Sequence, residues 1–160
     1  MRSPTASRVD WRCGRESFLP SVVPFFLRLR KQGTLPITDE RMTRFWITLE
    51  HGARFVLDSL KRMSGGELYV PKLPSTKVVD VARAIAPDAK LTMVGIRPGE
   101  KLHEVMVPED DARVTLEFED YFLIQPTHSF WNRKDFAQAN GKGRPCPDGF
   151  RYSSEINTHW

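Results

Sequence analysis

The sequence predicts an α/β fold with a small sheet and flanking helices. Segments with apolar residues at helical spacing alternate with short runs rich in β-branched and aromatic residues, which is the pattern of mixed α/β folds. The 160 residues are 40% apolar, which is enough to bury one sizeable core. No apolar run approaches the roughly 20 residues that a membrane-spanning helix needs. We therefore expect one folded domain, no membrane partner and a cytoplasmic location.

The basic excess is concentrated at the start of the chain. Residues 1–31 hold seven basic and two acidic residues, whereas residues 32–160 hold 17 basic and 18 acidic residues. Residues 1–20 lack periodicity and have few apolar groups, so we expect a disordered head there and a folded lobe over 21–160. The lobe is nearly neutral and shows no basic groove with interleaved aromatic residues. We therefore expect no nucleic-acid partner.

Strand, helix and turn signals alternate along the lobe. Before residue 90, apolar periodicity indicates three helices, bounded by capping residues, glycines or prolines. β-Branched and aromatic runs indicate short strands between and after them. The first predicted elements are a helix from 21 to about 33 and two extended segments, at 35–38 and 43–47, separated by a turn. A helix with Thr48 as its N-cap, a strand at 67–70 and a helix capped by Ser75 or Thr76 and ended by Pro87 follow. The last predicted elements are a strand at 91–96 and two strands, at 114–118 and 121–124, that pair with each other.

The spacing of cysteine and histidine argues against a metal site. Cys13 and Cys146 lie outside any C-x-x-C pattern, so we expect free thiols, and no two histidines form an H-x-x-x-H pair.

The apolar run 18–27 (FLPSVVPFFL) follows arginines, which is the outline of a signal-peptide core. Its prolines, and the lack of a small-residue cleavage site after it, favour instead the start of a buried helix with Pro24 near its first turn.

The stretch IRPGEKLHE contains candidate binding residues. Its Pro98-Gly99 pair predicts a turn after the strand at 91–96, and apolar residues at helical spacing predict a short helix from residue 100. Arg97 then stands at a strand end, where charged groups of α/β folds commonly face a ligand crevice, and its planar fork suits a diphosphate. Glu100 can accept hydrogen bonds from two sugar hydroxyls. The alternative is that Arg97 and Glu100 pair with each other or cap the helix.

No recognisable reaction centre accompanies these groups. The sequence has no G-x-G-x-x-G and no G-x-x-x-x-G-K-[ST] motif. It also lacks a Y-x-x-x-K pair and a nucleophile with a base at fixed spacing. We therefore predict no catalytic, cofactor-binding or metal-binding residues.

Three long motifs stand out: LPITDERMTRFWIT from Leu35, GELYVPKLPS from Gly66 and IRPGEKLHEVM from Ile96. Together they closely resemble the C-terminal part of the inverting UDP-N-acetylglucosamine 4,6-dehydratases. These are polysaccharide-biosynthesis-type enzymes of the extended short-chain dehydrogenase/reductase family, with bound NADP. The resemblance spans roughly Val22 to Trp160. It implies the C-terminal substrate-binding lobe of such an enzyme, with the Rossmann half absent.

The resemblance implies roles for six residues. In related enzymes two arginines hold the substrate diphosphate, and the matching positions here are Arg44 and Arg97. The alternative for Arg44 is a solvated strand residue. Glu100 matches the ribose-binding carboxylate of those enzymes. The stretch that resembles their uracil-facing segment is Leu35, Pro36 and Ile37.

The chain departs from the family near residue 20. The family's Gly-rich cofactor turn, Thr-Asp-Lys run and Tyr-x-x-x-Lys pair do not occur, so we expect a truncated or frame-shifted chain. It would bind a UDP-sugar, be inactive alone and hold no NADP by itself. The alternative is a subunit or interaction module that completes an active site with a separately encoded N-terminal Rossmann half. The partner could also be a further copy of the chain, in a homo-oligomer. The tail 151–154 (RYSS) matches no residue of known role, and packing is the favoured interpretation.

Overall fold

A computed structural model describes residues 22–126, 141 and 143–159. The predicted disordered head over 1–20 and Cys13 lie outside the described residues. Within them the structure is a mixed α/β fold, as predicted. The strands of the described residues form four small groups.

The helices flank short strands. In the part of the chain that the structure describes, 3₁₀ turns lie at Arg30–Gln32 and Glu109–Val114. The α-helices are α1 (Val22–Leu29), α2 (Leu49–Arg62) and α3 (Val78–Ile85). The strands are β1 (Thr34–Ile37), β2 (Thr43–Phe45), β3 (Leu68–Pro71), β4 (Ser75–Lys77), β5 (Lys90–Met93), β6 (Val105–Val107), β7 (Thr115–Glu117), β8 (Tyr121–Ile124), β9 (Arg144–Pro145) and β10 (Tyr152–Ser153).

Three of the strand groups are pairs. Strands β1 and β5 are parallel, whereas β2 pairs with β4 and β6 pairs with β10 in antiparallel fashion. The fourth group is an antiparallel sheet in the order β3-β8-β7-β9. The predicted pairing of the two β-rich runs is confirmed, because β7 and β8 are neighbours in this sheet.

Several local predictions are confirmed at the ends of helices. Gly33 follows the first helical segment in the left-handed region, with φ of 68°, a conformation that glycine adopts without steric cost. The Thr48 side chain accepts a hydrogen bond from the His51 N–H and caps α2, as expected of an N-cap threonine. The predicted cap of α3 is wrong: Ser75 and Thr76 belong to β4, and Lys77 occupies the N-cap position.

The helix predicted after Gly99 is also wrong. Residues 100–104 form no helix, and the next element is strand β6. This strand pairs with β10 from the end of the chain, so a long-range partner overrides the helical spacing. The strand predicted over 91–96 ends at Met93, opposite Ile37, where its partner strand β1 also ends.

The core that supports β1 and β2 lies between α1, β1 and α3. All its members are buried, and two of them, Leu35 and Ile37, belong to β1. A second cluster joins β3, β6, β8 and β10. The first cluster comprises Phe26, Leu35, Ile37, Met42, Val78, Val79 and Ala82.

Candidate ligand-binding site

A cavity of about 500 Å³ opens beside α1, β1, β2 and the turn that follows β5. Its volume lies within the range of roughly 300–1,000 Å³ that is usual for small-molecule sites. Apolar side chains and a few charged groups line it together, which is also typical of such sites. The charged residues in its lining are Arg44, Arg97, Glu100 and Glu104.

Arg97 and Glu100 are held by a tight turn. The Glu100 N–H donates to the Arg97 carbonyl oxygen at 3.0 Å, and the Arg97 N–H donates to Glu100 Oε2 at 3.3 Å. Gly99 has φ of 83° at the third position, and the second is proline, so this is a type II turn. The predicted turn is confirmed. The turn places both side chains at the cavity, with Glu100 Oε2 bonded to the Arg97 backbone.

Arg44 binds the loop after this turn. Its Nη1 donates to the carbonyl oxygens of Thr43 at 2.7 Å and Leu102 at 3.2 Å, and its Nη2 donates to that of Lys101 at 2.9 Å. A guanidinium carries five N–H donors, so its Nε–H and one Nη2–H lie outside these three bonds. Arg44 is therefore a half-buried clamp between β2 and the loop, and it also faces the cavity.

Glu104 is a charged cavity residue that the sequence motifs do not single out. Its Oε2 accepts from the Phe45 N–H at 2.8 Å, and its Oε1 lies 3.9 Å from Arg44 Nε. Because both contacts are with β2, about 60 residues away in the sequence, no local pattern signals them. Glu104 offsets the charge of Arg44 and ties its loop to β2.

The stretch Leu35, Pro36 and Ile37 divides between the core and the cavity. Leu35 and Ile37 are completely buried in the core, whereas Pro36 lines the cavity. The side chains alternate because β1 is a strand. Of the three side chains, only that of Pro36 is placed to contact a ligand, and the other two fix the position of the strand.

Trp46 is a second cavity residue without a predicted role. Its indole Nε1 is buried and has no hydrogen-bond acceptor among the described residues. A buried N–H without an acceptor is costly, so a ligand acceptor at this point would be favoured. The signal available in the sequence was the aromatic pair Phe45-Trp46, directly after Arg44.

The surroundings add a charged pair outside the cavity. In the turn between β1 and β2, the Arg41 guanidinium donates two hydrogen bonds to Asp39 and holds the pKa of that carboxyl at about 2. In the described part of the chain, no group of His, Cys, Asp and Glu side chains is arranged to hold a metal ion. Over the same residues, no helix is long and apolar enough to cross a bilayer.

The site thus combines guanidinium donors, a carboxylate and apolar side chains around one cavity. Such a set suits a ligand with an anionic group, hydroxyls and a flat or apolar part.

The X-ray structure of Pen from Bacillus thuringiensis has a similar fold, with a TM-score of 0.72 and 23% identity. The similarity covers 87% of this chain and 42% of that one. The two chains therefore share this mixed α/β fold over the region that aligns.

The family follows from comparison of the sequence. A family model described as "Polysaccharide biosynthesis protein" matches residues 19–126, and the chain belongs to this family. It is 50% identical over 145 residues to a UDP-N-acetylglucosamine 4,6-dehydratase (inverting) of Campylobacter jejuni. That alignment covers 88% of this chain and 43% of the enzyme. A UDP-glucose 4-epimerase of Rickettsia canadensis is 32% identical over 109 residues, with 65% of this chain and 32% of that protein covered. The chain therefore spans less than half the length of these relatives.

Proposed function

We propose that this chain is the UDP-sugar-binding part of an inverting UDP-N-acetylglucosamine 4,6-dehydratase. The observation that supports it most is that Arg44, Arg97, Glu100 and Pro36 line one cavity. They come from three separate segments of the chain, so the fold must bring them together. Half of the aligned residues are identical to a dehydratase whose name specifies this substrate.

The geometry suggests how the parts of the ligand are divided. The Arg97 guanidinium and the remaining N–H groups of Arg44 bind the diphosphate through charge-assisted hydrogen bonds. Glu100 Oε1, which lies outside the turn's hydrogen bonds, accepts from a ribose hydroxyl. The uracil lies against Pro36 and the neighbouring aromatic side chains. The cavity carries two positive and two negative side chains, so binding depends on directed hydrogen bonds more than on net charge.

The described residues do not fit NADP, the cofactor of the family. A dinucleotide diphosphate is usually held at the start of a helix by a Gly-rich turn after a parallel strand. Among these residues, β1 and β5 form the only parallel pair, and neither is followed by such a turn. We therefore propose that the chain alone binds the sugar nucleotide without converting it.

Calorimetric titration of the full 160-residue chain tests this function. We expect UDP-N-acetylglucosamine and UDP to bind, UMP to bind about tenfold more weakly than UDP, and uridine to bind more weakly still, because each lost phosphate removes charge-assisted bonds. With added NADP, we expect no 4-keto product. The proposal fails if the folded chain does not bind UDP or binds uridine equally well. Formation of the product would overturn the proposed inactivity alone.

An exposed helix face favours the second candidate, a subunit completed by a separate N-terminal half. The α2 stripe, a row of apolar residues at helical spacing, is solvent-exposed along its whole length, and Leu49 reaches 88% exposure. The opposite side of the helix holds Phe55, which packs on Tyr121. An apolar face of this size marks an interaction surface. The stripe comprises Leu49, Ala53, Val56, Leu57 and Leu60.

The neighbouring strand supports the same partner. Strand β3 follows α2 and forms one edge of the described sheet, where it pairs only with β8. Open edges and apolar faces of native proteins are normally covered. The curated relatives contain more than half their length beyond the aligned region, and that N-terminal part is the occupant we propose for the stripe.

Co-expression with the N-terminal half of the Campylobacter jejuni dehydratase tests this candidate. We expect the two pieces to co-purify, and Leu60→Glu to weaken the association by about 30-fold or more, because it buries a charge in the apolar contact. His51→Glu, which places the same charge on the opposite and exposed side of α2, serves as the matched control. Association that Leu60→Glu leaves unchanged would exclude the stripe as the contact.

A further inference from the structure

The C-terminal segment 152–157 contacts the cavity loop, residues 101–104, and one buried serine makes two of these contacts. Ser154 is completely buried, with 0% exposure. Its Oγ accepts from the Glu104 N–H at 2.9 Å, and its own N–H donates to the Glu104 carbonyl oxygen at 2.9 Å. Ser154 therefore fixes both backbone polar groups of a residue that lines the cavity.

The same hydroxyl continues into a chain of hydrogen bonds. Ser154 Oγ lies 2.7 Å from Thr43 Oγ1, which lies 2.8 Å from His103 Nδ1. His103 Nε2 in turn lies 3.7 Å from Glu155 Oε1. The contacts thus run from Ser154 of the C-terminal segment to Thr43 of β2, then to His103 of the cavity loop, and back to Glu155 of the C-terminal segment.

The arrangement of donors assigns a direction to this chain. Ser154 Oγ already accepts from Glu104, so its hydrogen is best donated to Thr43, whose own hydrogen then goes to His103 Nδ1. The His103 Nε2–H then points towards the Glu155 carboxylate. In the reverse direction, the Ser154 hydrogen would have no acceptor among the described residues, at a buried position where that is costly.

We propose that Ser154 is a positioning residue for the diphosphate site, an inference that rests on the proposed function. Thr43 directly precedes Arg44, and the Thr43 N–H donates to the Leu102 carbonyl oxygen at 3.2 Å. Arg44 binds the carbonyl oxygens of Lys101 and Leu102 from one side, and Ser154 binds Glu104 from the other. The loop between the turn and β6 is therefore held at both ends, and this fixes how the Arg44 guanidinium faces the ligand.

The tail has further anchors that do not involve Ser154. The Tyr152 hydroxyl accepts from the Leu73 N–H at 2.7 Å and donates to the Leu73 carbonyl oxygen at 3.1 Å. Asn157 Nδ2 donates to the same carbonyl oxygen at 2.8 Å and lies 3.1 Å from Ser75 Oγ. Because these bonds remain when Ser154 is changed, the segment is expected to stay attached.

The adjacent serine provides a matched control. Ser153 is also 0% exposed, but its Oγ has no hydrogen-bond partner among the described residues. Ser154→Ala and Ser153→Ala therefore remove the same atom from neighbouring buried positions. Only the first change removes hydrogen bonds, one from the Glu104 N–H of the cavity loop and one with Thr43 Oγ1.

The test is UDP titration and amide exchange on the full chain. We expect Ser154→Ala to raise the Kd for UDP about tenfold, as befits lost buried hydrogen bonds, and Ser153→Ala to change it less than about twofold. Exchange of the Glu104 amide should accelerate in the first variant alone. If Ser154→Ala does not fold, the isosteric Thr43→Val interrupts the same network and should give the same rise in Kd.

A double-mutant cycle separates positioning from general destabilisation. If Ser154 acts through the loop that Arg44 holds, Ser154→Ala and Arg44→Lys should have non-additive effects on the Kd, with the double variant weaker by less than the product of the single effects. Unchanged UDP affinity in Ser154→Ala, or full additivity, would overturn the positioning role. Absence of UDP binding by the unmodified chain would overturn the proposed function instead.

Discussion

Arg44→Ala is expected to weaken UDP binding by about 100-fold or more. The change removes a charge-assisted contact with the diphosphate, at about 1.5–3 kcal/mol for each such bond. It also removes the three hydrogen bonds that hold the carbonyl oxygens of Thr43, Lys101 and Leu102. The loop would then lose its attachment to the Arg44 side chain, so the Glu104 carboxylate would also be less well placed.

Two further variants make the Arg44 prediction specific. Arg44→Lys keeps the charge but cannot span two carbonyl oxygens with a planar fork, so we expect an intermediate loss of affinity. Arg41→Ala removes a nearby arginine that pairs with Asp39 at 2.8 Å and faces solvent; we expect the Kd to stay within about twofold, since exposed pairs contribute little. Calorimetry at fixed salt distinguishes the three. Equal binding by Arg44→Ala and the unmodified chain would remove Arg44 from the site.

Leu35→Ala is expected to lower the free energy of unfolding by about 2–5 kcal/mol, the usual cost of truncating a buried leucine to alanine. Leu35 is 0% exposed and packs in the core between α1 and α3. A domain has only about 5–15 kcal/mol of stability in total, so this single change removes a large share. Urea unfolding followed by circular dichroism measures it.

Pro36→Ala is the matched comparison for Leu35→Ala. Pro36 lies next along β1 but faces the cavity, so we expect only a small loss of stability and a several-fold weaker binding of UDP. The opposite outcome, stability unchanged in Leu35→Ala and strongly reduced in Pro36→Ala, would contradict the orientation of β1. The pair of variants thus separates support of the site from contact with the ligand.

Local signals predicted much of the fold. The turn at Pro98-Gly99 and the Thr48 cap depend on the conformational preferences of one or two residues. The extended segment at β1 and the helix that ends before Gly33 were predicted for similar reasons. Such features are encoded within a few residues, so the sequence alone suffices for them.

The predictions that failed concern contacts between distant segments. Leu102, Val105 and Met106 have helical spacing, yet the chain after Lys101 leads into β6, because β10 supplies a pairing partner from about 45 residues away. Ser75 belongs to β4 for the same reason, since β2 pairs with it. Local periodicity carries no information about such partners.

The candidate site was predicted only in part. The sequence motifs point to Arg44, Arg97, Glu100 and Pro36, and the fold brings all four to one cavity. The same motifs indicate no role for Glu104 and only packing for Ser154, because the contacts of both with β2 depend on the fold that brings the tail, the loop and the strand together. Leu35 and Ile37 were grouped with Pro36 because a motif does not show which side of a strand each residue faces.

A crystal structure of the full chain with UDP tests the central claim most directly. We expect the diphosphate in the cavity, with oxygen atoms about 2.7–3.2 Å from guanidinium nitrogens of both Arg44 and Arg97, the ribose at Glu100 and the uracil beside Pro36. A UDP molecule bound outside this cavity, or within it with the diphosphate away from both arginines, would contradict the account.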